Sequence, residues 1–265
     1  MISRYRKAHR IKRRKSILKS RFFWLTSLIL IIFGAVFYFL IFSPFFQAKK
    51  ITVSGEKIIS KEEIQTLIER NLEKKVLFFP TKSIFLINLK HVKNEILQSF
   101  PPIANIEINR EFPDTLSVIV ADRLEIAIFC QNDTCFSLDK EGVIFKESEP
   151  KAELIKIIDG QKEKMPKLGE QMIERDYLEK ILKIKKYFFE ELRLETKEFL
   201  VFSQRLNVKT DEDWEIYFDP RGDLNWQLTK LNLVLKEKIP LEKRKDLEYI
   251  ELRFGDLAAF RYREK

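Results

Sequence analysis

Between Phe22 and Phe42 the chain runs for 21 residues without a charge, FFWLTSLILIIFGAVFYFLIF. At about 1.5 Å of rise per residue, such a helix reaches roughly 30 Å, the depth of a bilayer's hydrocarbon core. Trp24 and Tyr38 lie near its ends, where amphipathic rings favour the interface, and Ser43-Pro44 stops it. A cleaved signal peptide is the rival reading, but its apolar stretch is shorter and ends in a small-x-small site, which Ser43-Pro44-Phe45-Phe46 is not. The segment therefore reads as an uncleaved anchor.

Beyond it the period of apolar positions switches repeatedly. Ile51-Thr52-Val53 alternates as a strand and ends at Gly55. Ser60-Lys61-Glu62-Glu63 has the form of a capping box, and Ile64, Leu67, Ile68 and Leu72 behind it share one helical face. Asn88 can cap a second helix carrying Leu89, Val92, Ile96 and Phe100, closed by Pro101-Pro102. Two alternating strands follow, Ile106 with Ile108 and then Leu116, Val118 and Val120, joined by Glu111-Phe112-Pro113-Asp114. The order over 46–123 is β-α-α-β-β, a compact α+β module.

Residues 124–265 are richer in strands: Ile126–Cys130, Cys135–Leu138, Val143–Phe145 and Leu154–Ile158. A helix covers Asp176–Leu192, with Tyr177, Ile181, Ile184 and Phe188 on one face. Strands return at Phe199–Phe202, Leu206–Lys209 and Trp214–Phe218. A further helix, Asn225–Lys238, carries the stripe Trp226, Leu228, Leu231 and Leu235. Tyr249–Phe254 and Leu257–Tyr262 close the chain as two strands around Gly255-Asp256. The class is α+β throughout.

Charge refines this layout. The net charge is +9, and residues 1–21 hold ten basic side chains and no acid, which leaves the body near neutral. A basic flank before an apolar span keeps the tail in the cytoplasm and exports residues 45–265. A near-neutral body gives no electrostatic case for nucleic acid. With only His9 and His91, a multi-histidine metal site is excluded, and neither G-x-G-x-x-G nor G-x-x-x-x-G-K occurs. His91 reads as a solvated residue on a helix surface. Cys130 and Cys135 flank Gln131-Asn132-Asp133-Thr134 between two strands, so they could form a disulfide in an oxidising compartment, or remain two thiols. One C-x4-C pair without a second is a weak zinc signature.

Several stretches resemble the bacterial cell-division family FtsQ/DivIB. Lys50-Ile51-Thr52-Val53-Ser54-Gly55 resembles its first strand. Arg110 through Leu116 resembles its R-x-x-P-x-T-L turn, and Asp139 through Phe145 its D-x-x-G-x-x-F hairpin. Met165-Pro166-Lys167-Leu168 sits at its crossover, Lys230–Leu235 in its penultimate helix, and Ile250-Glu251-Leu252-Arg253-Phe254 in its terminal strand. Asp122 and Glu251 exchange the family's usual acids for each other's type, and the proline common after Arg123 is missing.

The resemblance implies a POTRA domain over 46–123, a terminal domain over 124–265, and a non-enzymatic division scaffold without a cofactor, metal, small-molecule substrate or nucleic acid. Its implied partners are an FtsB/FtsL-like coiled-coil pair, other divisome components and the lipid bilayer at the septum. By family analogy a partner strand adds to the last strand of the sheet, which selects Arg253, Phe254, Asp256, Leu257, Ala258, Ala259, Phe260 and Tyr262 as the contact residues. Arg253 would meet a partner carboxylate, and Phe254 and Tyr262 would supply aromatic area. Two other classes compete. An anchored cell-wall enzyme needs convergent catalytic groups, for which no signature exists here. A POTRA-type transport component normally adds repeats and a barrel longer than the 140 or so remaining residues allow.

Overall fold

The computed structural model describes residues 21–264 apart from 77, 152 and 162–164; the basic tail, residues 1–20, lies outside the described residues. The protein is α+β. The apolar segment forms one helix, α1 (Arg21–Phe42), long and apolar enough to cross a membrane, and most side chains on it are exposed.

A three-stranded sheet is built from β1 (Lys50–Ser54), β4 (Ile103–Glu111) and β5 (Thr115–Asp122), in the order β1-β5-β4. Helices α2 (Lys61–Leu72) and α3 (Leu89–Ser99) intervene in the chain and bury Ile64, Ile68, Leu72, Val92 and Ile96. The capping box at α2 is reciprocal: the Glu63 amide donates to Ser60 Oγ at 3.3 Å, and the Ser60 amide to Glu63 Oε2 at 3.4 Å. His91 is exposed and lies 3.9 Å from Glu95, one turn on. A small hairpin of β2 (Lys74–Val76) and β3 (Phe79–Thr81) stands between the two helices, an element the sequence pattern does not announce.

Two of the short motifs have a direct mechanical reason. Gly55 sits at φ +88 with its Cα so near the Val120 carbonyl that a Cβ would come within 2.3 Å of the oxygen. Arg110 spends its guanidinium on main chain, donating to the carbonyls of Ile84 and Ile87 at 2.7 Å each.

The second sheet has nine strands: β6 (Ala127–Gln131), β7 (Thr134–Leu138), β8 (Ile144–Glu147), β9 (Ile155–Asp159), β10 (Thr196–Val201), β11 (Leu206–Thr210), β12 (Glu215–Phe218), β13 (Leu247–Glu251) and β14 (Ala259–Tyr262). Their order is β14-β13-β12-β11-β10-β9-β6-β7-β8. Of the parallel pairs β6–β9, β9–β10 and β12–β13, the last two are crossed over by α4 (Arg175–Tyr187) and α5 (Leu224–Glu237). Asp223 caps α5 through the amides of Asn225 and Trp226.

Alternate strand residues such as Phe129, Ile157, Phe199, Val208, Ile216 and Ile250 meet Leu178, Ile181, Ile184 and Phe188 from α4 and Leu228, Leu231 and Leu235 from α5 in one core. Trp214 is completely buried there. Cys130 and Cys135 face each other across β6 and β7 and are joined as a disulfide.

The turn after β7 depends on two residues. Asp139 is nearly buried; its Oδ1 accepts the amides of Glu141 at 3.0 Å and Val143 at 2.9 Å, while Oδ2 takes the Arg123 guanidinium. Gly142 adopts φ +75, and a Cβ there would lie 1.9 Å from the Ile173 carbonyl oxygen. Backbone must therefore move to admit any other residue. Gly142→Ala is expected to destabilise this sheet edge by at least about 1–2 kcal/mol, since the left-handed conformation alone costs that much. Faster amide exchange at Val143 and Ile144 in the variant is the measurement; unchanged exchange would show that the turn relaxes freely.

Candidate partner-binding edge

The two outer strands of the nine-stranded sheet end differently. Beyond β8 the segment from Gly169 to Ile173 covers the start of the edge: the Gly169 amide donates to Ile144 O at 2.7 Å, Ile144 N to Glu170 O at 3.1 Å, and Met172 N to Gly142 O at 2.8 Å. Beyond β14, among the described residues, no strand follows. The Arg263 amide donates inward to Asp246 O at 2.8 Å. Strand alternation then turns the amides and carbonyls of Phe260 and Tyr262 outward, since the irregularity in this ladder lies between Leu247 and Tyr249 on β13. Those outward groups are what an added strand would pair with.

Sequence alternation placed Arg253 and Phe254 within a strand, but β13 ends at Glu251. Lys230, reaching from α5, explains the break. Its Nζ donates to the carbonyls of Leu252 and Gly255 at 2.7 Å each and of Leu257 at 3.1 Å, so the connection folds around one ammonium. Burial lowers the Lys230 pKa, while Asp256 and Glu251 oppose that shift. Three carbonyls match the three donors of the group, which satisfies a cation with only 5% of its surface exposed.

The expected contact residues divide into two sets. Phe254, Leu257, Ala259 and Phe260 are exposed, Phe254 at 60% and Leu257 at 73%. Tyr262 and Ala258 pack partly against the core, and Tyr262 meets Phe260 edge-to-face at 5.6 Å. Neither Phe254 nor Phe260 is a core residue.

Arg253 already has a carboxylate: Nε and Nη2 donate to Glu251 at 2.8 and 2.6 Å, with the guanidinium 5.2 Å from the Phe254 ring centroid. Glu251 holds the guanidinium charged, raising its pKa. A partner acid would therefore have to share or displace Glu251. Asp256, which interrupts an apolar run, accepts from Trp226 Nε1 at 3.1 Å. Trp226 is thereby drawn out of the stripe assigned to it and lies 43% exposed. Trp226, Leu233, Ala258 and Phe260 line an open cleft of about 390 Å³ between α5 and β14.

Lys230 and Trp226 are the site residues that sequence reasoning did not select. The signal for Lys230 was its position beside Leu231 on the apolar face of α5, where a lysine must find internal acceptors.

Among the described residues, one helix long and apolar enough to cross a membrane, a three-stranded β-α-α-β-β module and a nine-stranded mixed sheet make up an α+β protein. Residues 46–123 match the FtsQ-type POTRA domain. Over 103 residues the chain is 34% identical to the cell division protein DivIB of Clostridium acetobutylicum, covering 39% of this chain and 38% of that one. It is 27% identical over 139 residues to DivIB of Clostridium tetani, covering 52% and 49% respectively. It is 32% identical over 107 residues to the cell division protein FtsQ of Syntrophotalea carbinolica, covering 40% and 34%. Each match spans less than half the length of the relative. The chain thus carries an FtsQ-type POTRA domain and is similar over part of its length to cell division proteins named DivIB and FtsQ.

Proposed function

We propose that this protein is a membrane-anchored, non-enzymatic scaffold of the bacterial divisome, with a POTRA domain at 46–123 and a partner-binding terminal domain at 124–265. The observation that carries the proposal is the asymmetry of the nine-stranded sheet. One edge is covered at its start by the protein's own backbone, and the other is left open beside exposed Phe254, Leu257 and Phe260. The unpaired amides and carbonyls of such an edge are a template on which a second chain can add a strand.

The partner is an extended segment of an FtsB/FtsL-like protein, added antiparallel or parallel to β14, with its side chains reaching Phe260 and the α5 cleft. In this reading α1 spans the cytoplasmic membrane, the basic tail stays inside, and the sheets stand outside. Names of the relatives supply the division context, and the open edge supplies the means of recruitment.

The test is the position of the full chain, tagged on its amino-terminal tail, in growing host cells. A band at midcell that disappears when the division ring is depleted is expected. An even membrane distribution throughout the cycle would reject the scaffold role.

A further inference from the structure

From the end of α1 a continuous set of aromatic rings runs onto the neighbouring module. Phe39 meets Phe46 edge-to-face at 5.8 Å, Phe46 meets Phe85 at 5.3 Å, and Phe85 stacks on Phe112 at 5.3 Å. A second branch joins Phe42, in the last turn of α1, to Phe79 of β3 at 6.2 Å. Most of these rings are also open to the outside: Phe45, Phe79, Phe85 and Phe112 are all exposed, and Phe78 is 96% exposed. An apolar surface of this size on a soluble face is unusual.

Polar contacts fix the height of this surface relative to the helix. The carbonyl of Ile41 accepts from Thr81 Oγ1 at 2.7 Å and from Gln47 Nε2 at 2.9 Å, and that of Leu40 accepts from Ser83 Oγ at 3.1 Å. Helix-end carbonyls normally lack partners, so these side chains both cap α1 and bind the β2–β3 hairpin to it. Thr81 and Ser83 are buried in doing so. The hairpin cannot then swing away from the point where α1 ends.

Phe78 departs from local preference as well. Val76 pairs with Phe79, which puts Phe78 at the hairpin tip, where it adopts φ +77. Glycine or asparagine takes that conformation at far less cost than a bulky ring. A strained, fully exposed phenylalanine beside an apolar helix is a feature that folding alone does not require.

We infer that the hairpin tip and the adjoining rings form a foot that lies in the headgroup region of the bilayer crossed by α1. The occupant is the lipid surface itself, because the patch is continuous with the helix that the lipid already surrounds. Exposed Lys49, Lys50 and Lys75, close in sequence to these rings, suit anionic headgroups. The foot limits the tilt of the module against the membrane. This inference rests on the reading of α1 as a span.

The test uses nitroxide labels on the full chain in vesicles of phosphatidylcholine with phosphatidylglycerol. The two native cysteines are bonded to each other, so a single introduced cysteine takes the label. Three sites are compared: Phe78→Cys, Ala35→Cys within α1, and Leu241→Cys, an exposed residue elsewhere. Relaxation by lipid-soluble oxygen should dominate at position 35 and relaxation by a water-soluble nickel chelate at 241, with position 78 between the two as a headgroup depth requires. A label at 78 that behaves like the one at 241, while 35 stays oxygen-dominated, would overturn the foot and leave the span intact. Nickel-dominated relaxation at 35 would overturn both. Shielding of 78 from both reagents would mean that protein covers the tip, which also rejects a lipid occupant.

Discussion

Replacing Asp139 with alanine is expected to loosen the turn before β8 by about 3–5 kcal/mol, the range for breaking a buried ion pair from one side. Three losses coincide. The amides of Glu141 and Val143 lose their acceptor, and Arg123 loses its charge partner while only 16% of its side chain is exposed. The guanidinium keeps one contact, from Nε to the Pro101 carbonyl at 3.0 Å, which does not compensate a charge. Hydrogen exchange on the full chain in detergent should show protection at Val143 and Ile144 falling by roughly two to four orders of magnitude. Asp139→Asn should lose less, because its carbonyl can still accept the turn amides. If Asp139→Ala exchanges like the natural protein, the pair contributes nothing and the turn is held by Gly142 and its neighbours alone. A cycle with Arg123→Ala separates the coupling from the cost of stranding the arginine.

The residues that make these contacts show which parts of the fold were legible. Periods of 3.6 and 2 identified α2, α3, α4, α5 and most of the strands, because each buries a single face, α4 and α5 on the core of the nine-stranded sheet and α2 and α3 through Ile64, Ile68, Val92 and Ile96. The β2–β3 hairpin was not legible: Lys74-Lys75-Val76 and Phe79-Pro80-Thr81 are too short to alternate, and its reason for existing lies at the end of α1. The end of β13 was also hidden. Ile250 to Phe254 reads as an unbroken strand, and only the distant Lys230 ammonium, collecting three carbonyls, turns the chain away after Glu251. A lysine in a helix ordinarily reads as solvated surface. The Arg253 contact was similarly invisible, since alternation gives the face of a side chain but not which acid it meets.

For the open edge, the expected result is that Phe260→Pro abolishes capture of an FtsB/FtsL-like ectodomain pair, whereas Phe260→Ala only weakens it. Both remove the ring that lines the α5 cleft. Proline additionally removes an outward amide and leaves the inward ladder to β13 intact, because the inward positions are 259, 261 and 263. If recognition runs through backbone pairing, the difference between the two variants is the contribution of the strand, and their common loss is that of the ring. Loss of an aromatic hot spot costs about 2–4 kcal/mol, or roughly thirty- to a thousandfold in affinity by titration calorimetry. Arg253→Glu should also weaken binding, by placing a second carboxylate against Glu251 where the guanidinium now stands over Phe254. Equal affinities for Phe260→Pro and Phe260→Ala would show that side chains alone hold the partner. Unchanged affinity in all three would move the contact away from β14.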